Sequence, residues 1–226
     1  MKAPMPTNEA ERLAALKSYR ILDTAAEQSY DDITALAAHI CGVPIVIISL
    51  VDEYRQWFKS KIGLDVEQTP REIAFCAHAI LQKEPFIVMD ATKDERFANN
   101  PLVKGKTHIQ FYAGFPLINP EGLALGTLCA IDRQPRQLSA EQEKAMQALQ
   151  RQVMALLEFR RVSARLADAL DNVKILQELL PICAWCKRIR DDKGYWDQVE
   201  AYFHKNAGVD FSHGICPECL KKVHAK

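Results

Sequence analysis

Apolar positions along the first 137 residues change period several times, and each change marks an element. Leu13, Leu16 and Tyr19 repeat at helical spacing behind Asn8, with Glu11 three residues on, the signature of a capped helix. A second helix is predicted from about Ala26 to Ile40, with Tyr30, Ile33, Leu36 and Ala37 inward. After Gly42 the run Val43–Asp52 is short and β-branched, which predicts a buried strand, and QWFKSKIG follows as its hairpin partner. Thr69–Glu72 opens a predicted helix reaching about Gln82, and Phe86–Ala91 reads as a short strand. Residues 92–108 are polar, with one helical turn expected around Asp94–Asn99. Phe111–Ile118 and Leu123–Asp132 read as strands joined by Asn119-Pro120-Glu121-Gly122, a sequence suited to a tight turn. Together these elements predict an α+β fold, an antiparallel sheet with helices packed on it.

From residue 138 the period changes again. Ser139-Ala140-Glu141-Gln142 is a capping box, and neither Pro nor Gly occurs between it and Leu180. That predicts about 40 helical residues, roughly 60 Å. Met146, Leu149, Val153 and Leu156 are spaced 3-4-3, and Val162, Leu166, Ala169, Val173, Leu176 and Leu180 resume the spacing after a slip through Phe159. This broken heptad pattern predicts a homodimer through residues 138–180, the alternative being a helix folded back on its own domain.

Composition narrows the function classes. Lys+Arg and Asp+Glu are both 29, so no global charge draws the chain to nucleic acid or an anionic membrane. No apolar run nears the ~20 residues that span a bilayer, and the N-terminus lacks the apolar core of a signal peptide, so a cytoplasmic protein is expected. Seven cysteines in such a chain suggest ligands, buried small side chains or reactive thiols more than disulfides.

Four of those cysteines form two pairs, Cys183-x-x-Cys186 and Cys216-x-x-Cys219, separated by residues 187–215. One pair alone could be a redox couple, half a metal site or two unrelated thiols. Two pairs can close a tetrathiolate around Zn²⁺, with His213 as a substitute ligand, and a staple suits a segment too short to bury much core. Cys-Pro-Glu-Cys also resembles thiol oxidoreductase motifs, but the thioredoxin-like context is absent. The intervening residues 194–208 predict a short helix with Trp196, Val199, Tyr202 and Phe203 inward. The module is near neutral once a zinc tetrathiolate is counted, so nucleic-acid binding through Lys187-Arg188 and Lys221-Lys222 is the minority reading.

NEAERLAALKSYRILDT, GVPIVIISLVDEYRQWFKS, IAFCAHAIL, DATKDERFANNPLV and FYAGFPLINPEGLALGTLCAID together resemble the GAF domain family, in the subfamily found in bacterial sensor histidine kinases and diguanylate cyclases. The resemblance spans about Asn8 to Gln137. It implies a GAF-like antiparallel sheet flanked by helices, a small-molecule pocket on one face and signalling through terminal helices. Leu180–Lys226 resembles a C-terminal module found after bacterial sensor and receiver domains. The expected organisation is therefore a sensory domain (1–137), a signalling helix or coiled coil (138–180) and a zinc-ribbon-like module (181–226). Pocket candidates are Trp57, Phe58, Cys76, Phe97, His108, Tyr112, Thr127 and Cys129, any of which could simply fill the core. No phosphoacceptor histidine box, nucleotide-binding glycine boxes or cyclase signature motif is found. The expectation is accordingly a non-catalytic sensor or adaptor with a protein partner in a bacterial signalling pathway, and no enzyme. A methionine sulfoxide reductase-like activity is the enzymatic alternative, but the family's catalytic cysteine would fall in DERFANNP, which has none. A zinc-dependent nucleic-acid-binding regulator is the other.

Overall fold

The β-branched run after Gly42 forms β1 (Ile45–Val51), and the chain turns back at once as β2 (Arg55–Ile62). This computed structural model describes residues 2–177, 180–191 and 193–224, with the side chains of 172–177, 223 and 224 outside the description. It divides into two compact units, Met1–Arg165 and Leu166–Lys226.

In the first unit β3 (Gln68–Pro70), β4 (Phe86–Val88), β5 (Phe111–Ile118) and β6 (Ala124–Asp132) complete a six-stranded sheet of order β3-β2-β1-β6-β5-β4. Every neighbouring pair is antiparallel. The β5–β6 turn closes as its sequence predicts: Gly122 takes φ 82° and its N–H donates to Asn119 O at 2.9 Å.

Alternation along the strands divides the apolar residues between two faces. Val46, Ile48, Leu50 and Trp57 meet α1 (Glu9–Ser18), α2 (Gln28–Cys41) and the first half of α5 (Ala140–Gln177) through Leu16, Tyr30, Ile33, Met146 and Val153. Ile45, Ile47, Phe58, Tyr112, Cys129 and Ile131 face the other way. That face is covered by Phe75, by α3 (Cys76–Ala79), by Phe97 and by α4 (Pro101–Lys104).

The register shifts at Leu117/Ile118 in the β5–β6 pair and, with more consequence, at a β-bulge in β2. Ile48 pairs with Ser60 but Ser49 with Phe58, leaving Lys59 as the extra residue. Both Lys59 and Ser60 then reach the α2 side. Lys59 Nζ, fully buried, donates to Glu27 Oε1 (2.6 Å) and Ala25 O (2.6 Å), and Ser60 Oγ lies 2.8 Å from Thr34 Oγ1.

Two helical starts differ from the sequence-based expectation. The Asn8 side chain makes no cap bond. Glu9 instead accepts from Arg12 Nε (2.9 Å) and Nη2 (2.8 Å) and from Arg71 Nη2 (3.1 Å), tying α1 to the segment beyond β3. The helix predicted from Thr69 to Gln82 is interrupted. A single 3₁₀ turn over Arg71–Ile73 ends at Ala74, whose ψ of 127° is extended, and only α3 is α-helical beyond it.

The capping box of α5 forms in both directions: Gln142 N–H donates to Ser139 Oγ (3.2 Å) and Ser139 N–H to Gln142 Oε1 (2.9 Å). Met154 and Leu157, which the 3-4 spacing does not single out, are buried with Met146 and Val153. Past Phe159, itself 74% exposed, Val162, Leu166 and Leu170 point to solvent. Val173 and Leu176 fall among the undescribed side chains, and residues 178–179 of the expected stalk lie outside the described residues.

In the second unit β7 (Ile189–Arg190) and β8 (Trp196–Asp197) form a two-stranded ribbon, followed by α6 (Val199–Ala207) and α7 (Pro217–His224). The inward face expected for residues 194–208 is realised in part: Val199, Tyr202 and Phe203 are half-buried while the rest of α6 is exposed, and Trp196 departs from it. No residue of α6 is fully buried and Trp196 is 45% exposed, while Phe203 makes an edge contact with Phe211. Among the described residues no helix is long and apolar enough to cross a membrane.

Candidate functional site

A cavity of about 160 Å³ opens on the α3 face of the sheet, walled by Ile45 and Ile47 of β1, Phe58 of β2, Phe75, Tyr112 and Ile131. That volume is close to the ~150 Å³ apolar cavity that admits benzene in an engineered protein. Two polar atoms of the wall are left unpaired. Gln56 Oε1 and Thr69 Oγ1, on paired residues of β2 and β3, are buried with no hydrogen-bond partner. An unpaired buried polar atom costs about 1–3 kcal/mol, so each is a place where a guest's polar group is favoured over an apolar one.

At one wall of the cavity lies a cluster of hydroxyls and thiols. Cys76 Sγ accepts from Thr127 Oγ1 at 2.9 Å, Tyr112 OH at 3.1 Å and Ser49 Oγ at 3.2 Å. Cys129 Sγ lies 3.7 Å away. All five side chains are buried. Tyr112 reaches the sulfur because residue 114 has no side chain: a Cβ on Gly114 would stand 2.3 Å from the Tyr112 hydroxyl oxygen. Burial alone would raise the Cys76 pKa, but hydrogen bonds from Cys129, Ser49, Thr127 and Tyr112 bring it below the ordinary thiol range. Burial, then the hydrogen bond and charge of Cys76, push Cys129 well above it.

Of the eight pocket candidates, Phe58, Cys76 and Tyr112 line this cavity. Thr127 and Cys129 stand behind Cys76, and Phe97 stacks on Phe75 with ring centroids 4.0 Å apart. Two candidates are corrected. Trp57 faces the opposite core, because β2 alternates and Phe58 takes the cavity side. His108 is exposed, held by a left-handed turn at φ 52°. Sequence reasoning missed Ser49, Gln56 and Thr69. For Ser49 and Gln56 a signal existed, a polar residue at an inward position of an otherwise apolar strand.

The C-terminal cysteines occur as two local pairs. Cys186 N–H donates to Cys183 Sγ at 3.5 Å, in a turn closed by Lys187 at φ 61°, and Cys219 N–H donates to Cys216 Sγ at 3.4 Å, beside the start of α7. Amide donors lower the pKa of Cys183 and of Cys216, which suits thiolate ligands. Among the described residues, however, no three His, Cys, Asp or Glu side chains are gathered to hold a metal ion. His213 and Trp185 are exposed.

A six-stranded antiparallel sheet with helices on one face and a cavity under short helices on the other defines a sensory-domain class. The chain belongs to the GAF domain family, which it matches over residues 25–157. It is 48% identical over 143 residues, 63% of the chain, to a cyclic di-GMP phosphodiesterase of Pseudomonas aeruginosa, and spans 24% of that relative's length. In fold it is similar to the GAF domain of an Acinetobacter phosphoenolpyruvate-protein phosphotransferase, with TM-score 0.52, 20% identity, and coverage of 70% of this chain and 97% of that one. The GAF domain of Thermosynechococcus elongatus PixJ in its blue-light-absorbing form gives TM-score 0.52 and 16% identity, with coverage of 71% and 96%.

The phosphodiesterase relative overturns two expectations, that the chain is a non-catalytic sensor or adaptor and that it is no enzyme. Both rest on the absence of kinase and cyclase motifs, which says nothing of hydrolysis of a cyclic dinucleotide.

Proposed function

We propose that the chain is a GAF sensory part of cyclic di-GMP turnover, in which a small, largely apolar molecule held in the cavity sets the rate of cyclic di-GMP hydrolysis. The observation that carries the ligand half is the pairing of an apolar cavity with two buried, unpartnered polar atoms, Gln56 Oε1 and Thr69 Oγ1. A carbonyl oxygen accepts only, so the guest carries a hydroxyl or N–H group. Cyclic di-GMP, with two guanines and two phosphates, is too large and too charged for about 160 Å³ of apolar space, which separates the sensed molecule from the hydrolysed one. The hydrolytic half rests on the 48% identity to a cyclic di-GMP phosphodiesterase.

Phenol and toluene, alike in size, test the ligand half by calorimetric titration. Phenol binding more tightly, with the preference lost in Gln56→Leu, is the expected outcome, and equal affinities would sink it. Incubating the protein with cyclic di-GMP and following the linear dinucleotide by chromatography tests the other half. Hydrolysis at a rate that phenol alters supports the reading, and a rate indifferent to phenol removes the coupling.

Two further features complete the reading. The first half of α5 is taken up by the sheet's own core, but its apolar positions beyond Phe159 repeat at 3-4 spacing, so a second copy of the same helix supplies the matching seam there, and the chain pairs as a homodimer through the part of the predicted 138–180 stalk that follows Phe159. The two Cys-x-x-Cys pairs, each with amide N–H donors on sulfur, together hold one structural Zn²⁺ through Cys183, Cys186, Cys216 and Cys219. The zinc would tie two distant turns together in a unit with little core of its own. A cytoplasmic setting, which keeps those thiols reduced, belongs to the same reading.

A further inference from the structure

The hydroxyl and thiol cluster beside the cavity has an asymmetry that ligand binding leaves unused. Three O–H groups converge on a single sulfur, Cys76 Sγ. Ser49 Oγ and Thr127 Oγ1 also lie 3.0 Å apart, so a hydroxyl that turns away from the sulfur can donate to its neighbour instead. A neutral thiol is a weak acceptor and must still place its own hydrogen, whereas a thiolate uses every donor aimed at it. The second sulfur is placed differently. Cys129 Sγ has Ile47 O at 3.5 Å and Thr127 Oγ1 at 3.7 Å, distances suited to a protonated thiol. Cys76 lines the cavity, and Cys129 stands behind it. The outer sulfur is thus built to be the nucleophile, and the inner one lies within reach of it.

We propose that Cys76 and Cys129 are an oxidisable pair, in which Cys76 reduces a small organic hydroperoxide admitted to the cavity and the two cysteines then close to a disulfide. The apolar wall selects an alkyl hydroperoxide over hydrogen peroxide, which is better solvated in bulk water. In the first step the Cys76 thiolate attacks the terminal peroxide oxygen. An S–O bond forms and the O–O bond breaks, and the departing alkoxide takes a proton from the hydroxyl set or solvent to leave as the alcohol. In the second step the Cys129 sulfur gives up its proton and attacks the Cys76 sulfenic acid. The S–S bond forms as the S–O bond breaks, and hydroxide leaves with that proton as water. Two thiols are oxidised and one peroxide is reduced. Closing the sulfurs from 3.7 Å to the ~2.05 Å of a disulfide draws α3 and β6 together and removes the common acceptor of Ser49, Tyr112 and Thr127. The cavity wall that a ligand meets therefore differs between the two redox states.

The purified, reduced protein is exposed to tert-butyl hydroperoxide and, separately, to hydrogen peroxide at matched concentration, then mapped by non-reducing peptide mass spectrometry. A Cys76–Cys129 linkage that forms faster with the alkyl hydroperoxide is expected. Cys41, buried and with its thiol pushed up to about 11 by burial, is the internal control. Cys76 should be modified at least about tenfold faster than Cys41, since the thiolate is the reacting form. In Cys129→Ser, Cys76 stops at a sulfenic acid that dimedone traps, and circular dichroism checks that this variant is folded. Oxidation confined to the Cys183–Cys186 and Cys216–Cys219 pairs, or Cys41 reacting as fast as Cys76, overturns the proposal. The phenol titration is made on the fully reduced protein, so the ligand reading is tested apart from this one.

Discussion

Glu9 shows how much one carboxylate can hold. Burial works against its charge, but hydrogen bonds from Arg12 and Arg71, and then their charges, lower its pKa to about 2. An unfolded glutamate titrates near ~4.3. The folded value is depressed, so the stabilisation is complete above the unfolded pKa and is lost as pH falls from there towards 2. In Glu9→Gln the urea midpoint should drop below that of the parent at pH 7, and the gap should narrow steadily by pH 3. A gap that widens on acidification would refute the assignment. Single residues were also the hardest scale to read from sequence. Phe58 and Tyr112 sit at the cavity because strand alternation puts them there, and Cys76 because α3 lies over that face of the sheet. Trp57 could not be told from Phe58, since in an aromatic pair nothing local says which ring faces which core. Thr69, on a three-residue edge strand, gives no periodic signal at all.

At the scale of elements, periodicity carried the reading where segments were long. The limits predicted for β5 match those observed, and those for β6 differ by one residue. Where tertiary contacts outweigh propensity, it did not. The run from Thr69 to Gln82 reads as one helix, yet Arg71 is drawn to Glu9 and the backbone extends at Ala74 before α3 begins. The local capping box of α5 was legible because both partners lie within four residues. Ser139→Ala should lower stability by about 0.5–2 kcal/mol, read as a shifted denaturant midpoint with unchanged slope. The β2 bulge was not legible, since it is a relation between two strands. Lys59 depends on it, being buried against Glu27. Glu27→Ala would leave that ammonium with only neutral partners, a loss of a few kcal/mol, on the order of ~3. A change within about 0.5 kcal/mol would show that Thr24 and Ala25 suffice.

For the whole molecule, the GAF fold could be recognised from ordered motifs, while the likeness to a cyclic di-GMP phosphodiesterase could not, because no motif in the sequence carries that relative's chemistry. The paired cysteines were visible as spacing, and their proposed metal is checked directly. Elemental analysis should find one zinc per chain, lost in both Cys183→Ser and Cys216→Ser with the sheet domain still folded. Zinc retained in either variant would point to other ligands. Sedimentation should likewise find a dimer that Leu166→Glu weakens by more than about tenfold, because the seam would have to bury a charge. The uncovered side chains at Val162, Leu166 and Leu170 carry one more consequence. If a second copy covers them, as proposed, that surface would respond to how many copies there are. Scarce chains would stand singly and abundant ones in pairs, so the rate at which a cell makes the protein becomes a second signal, read by the same helix that leaves the sheet.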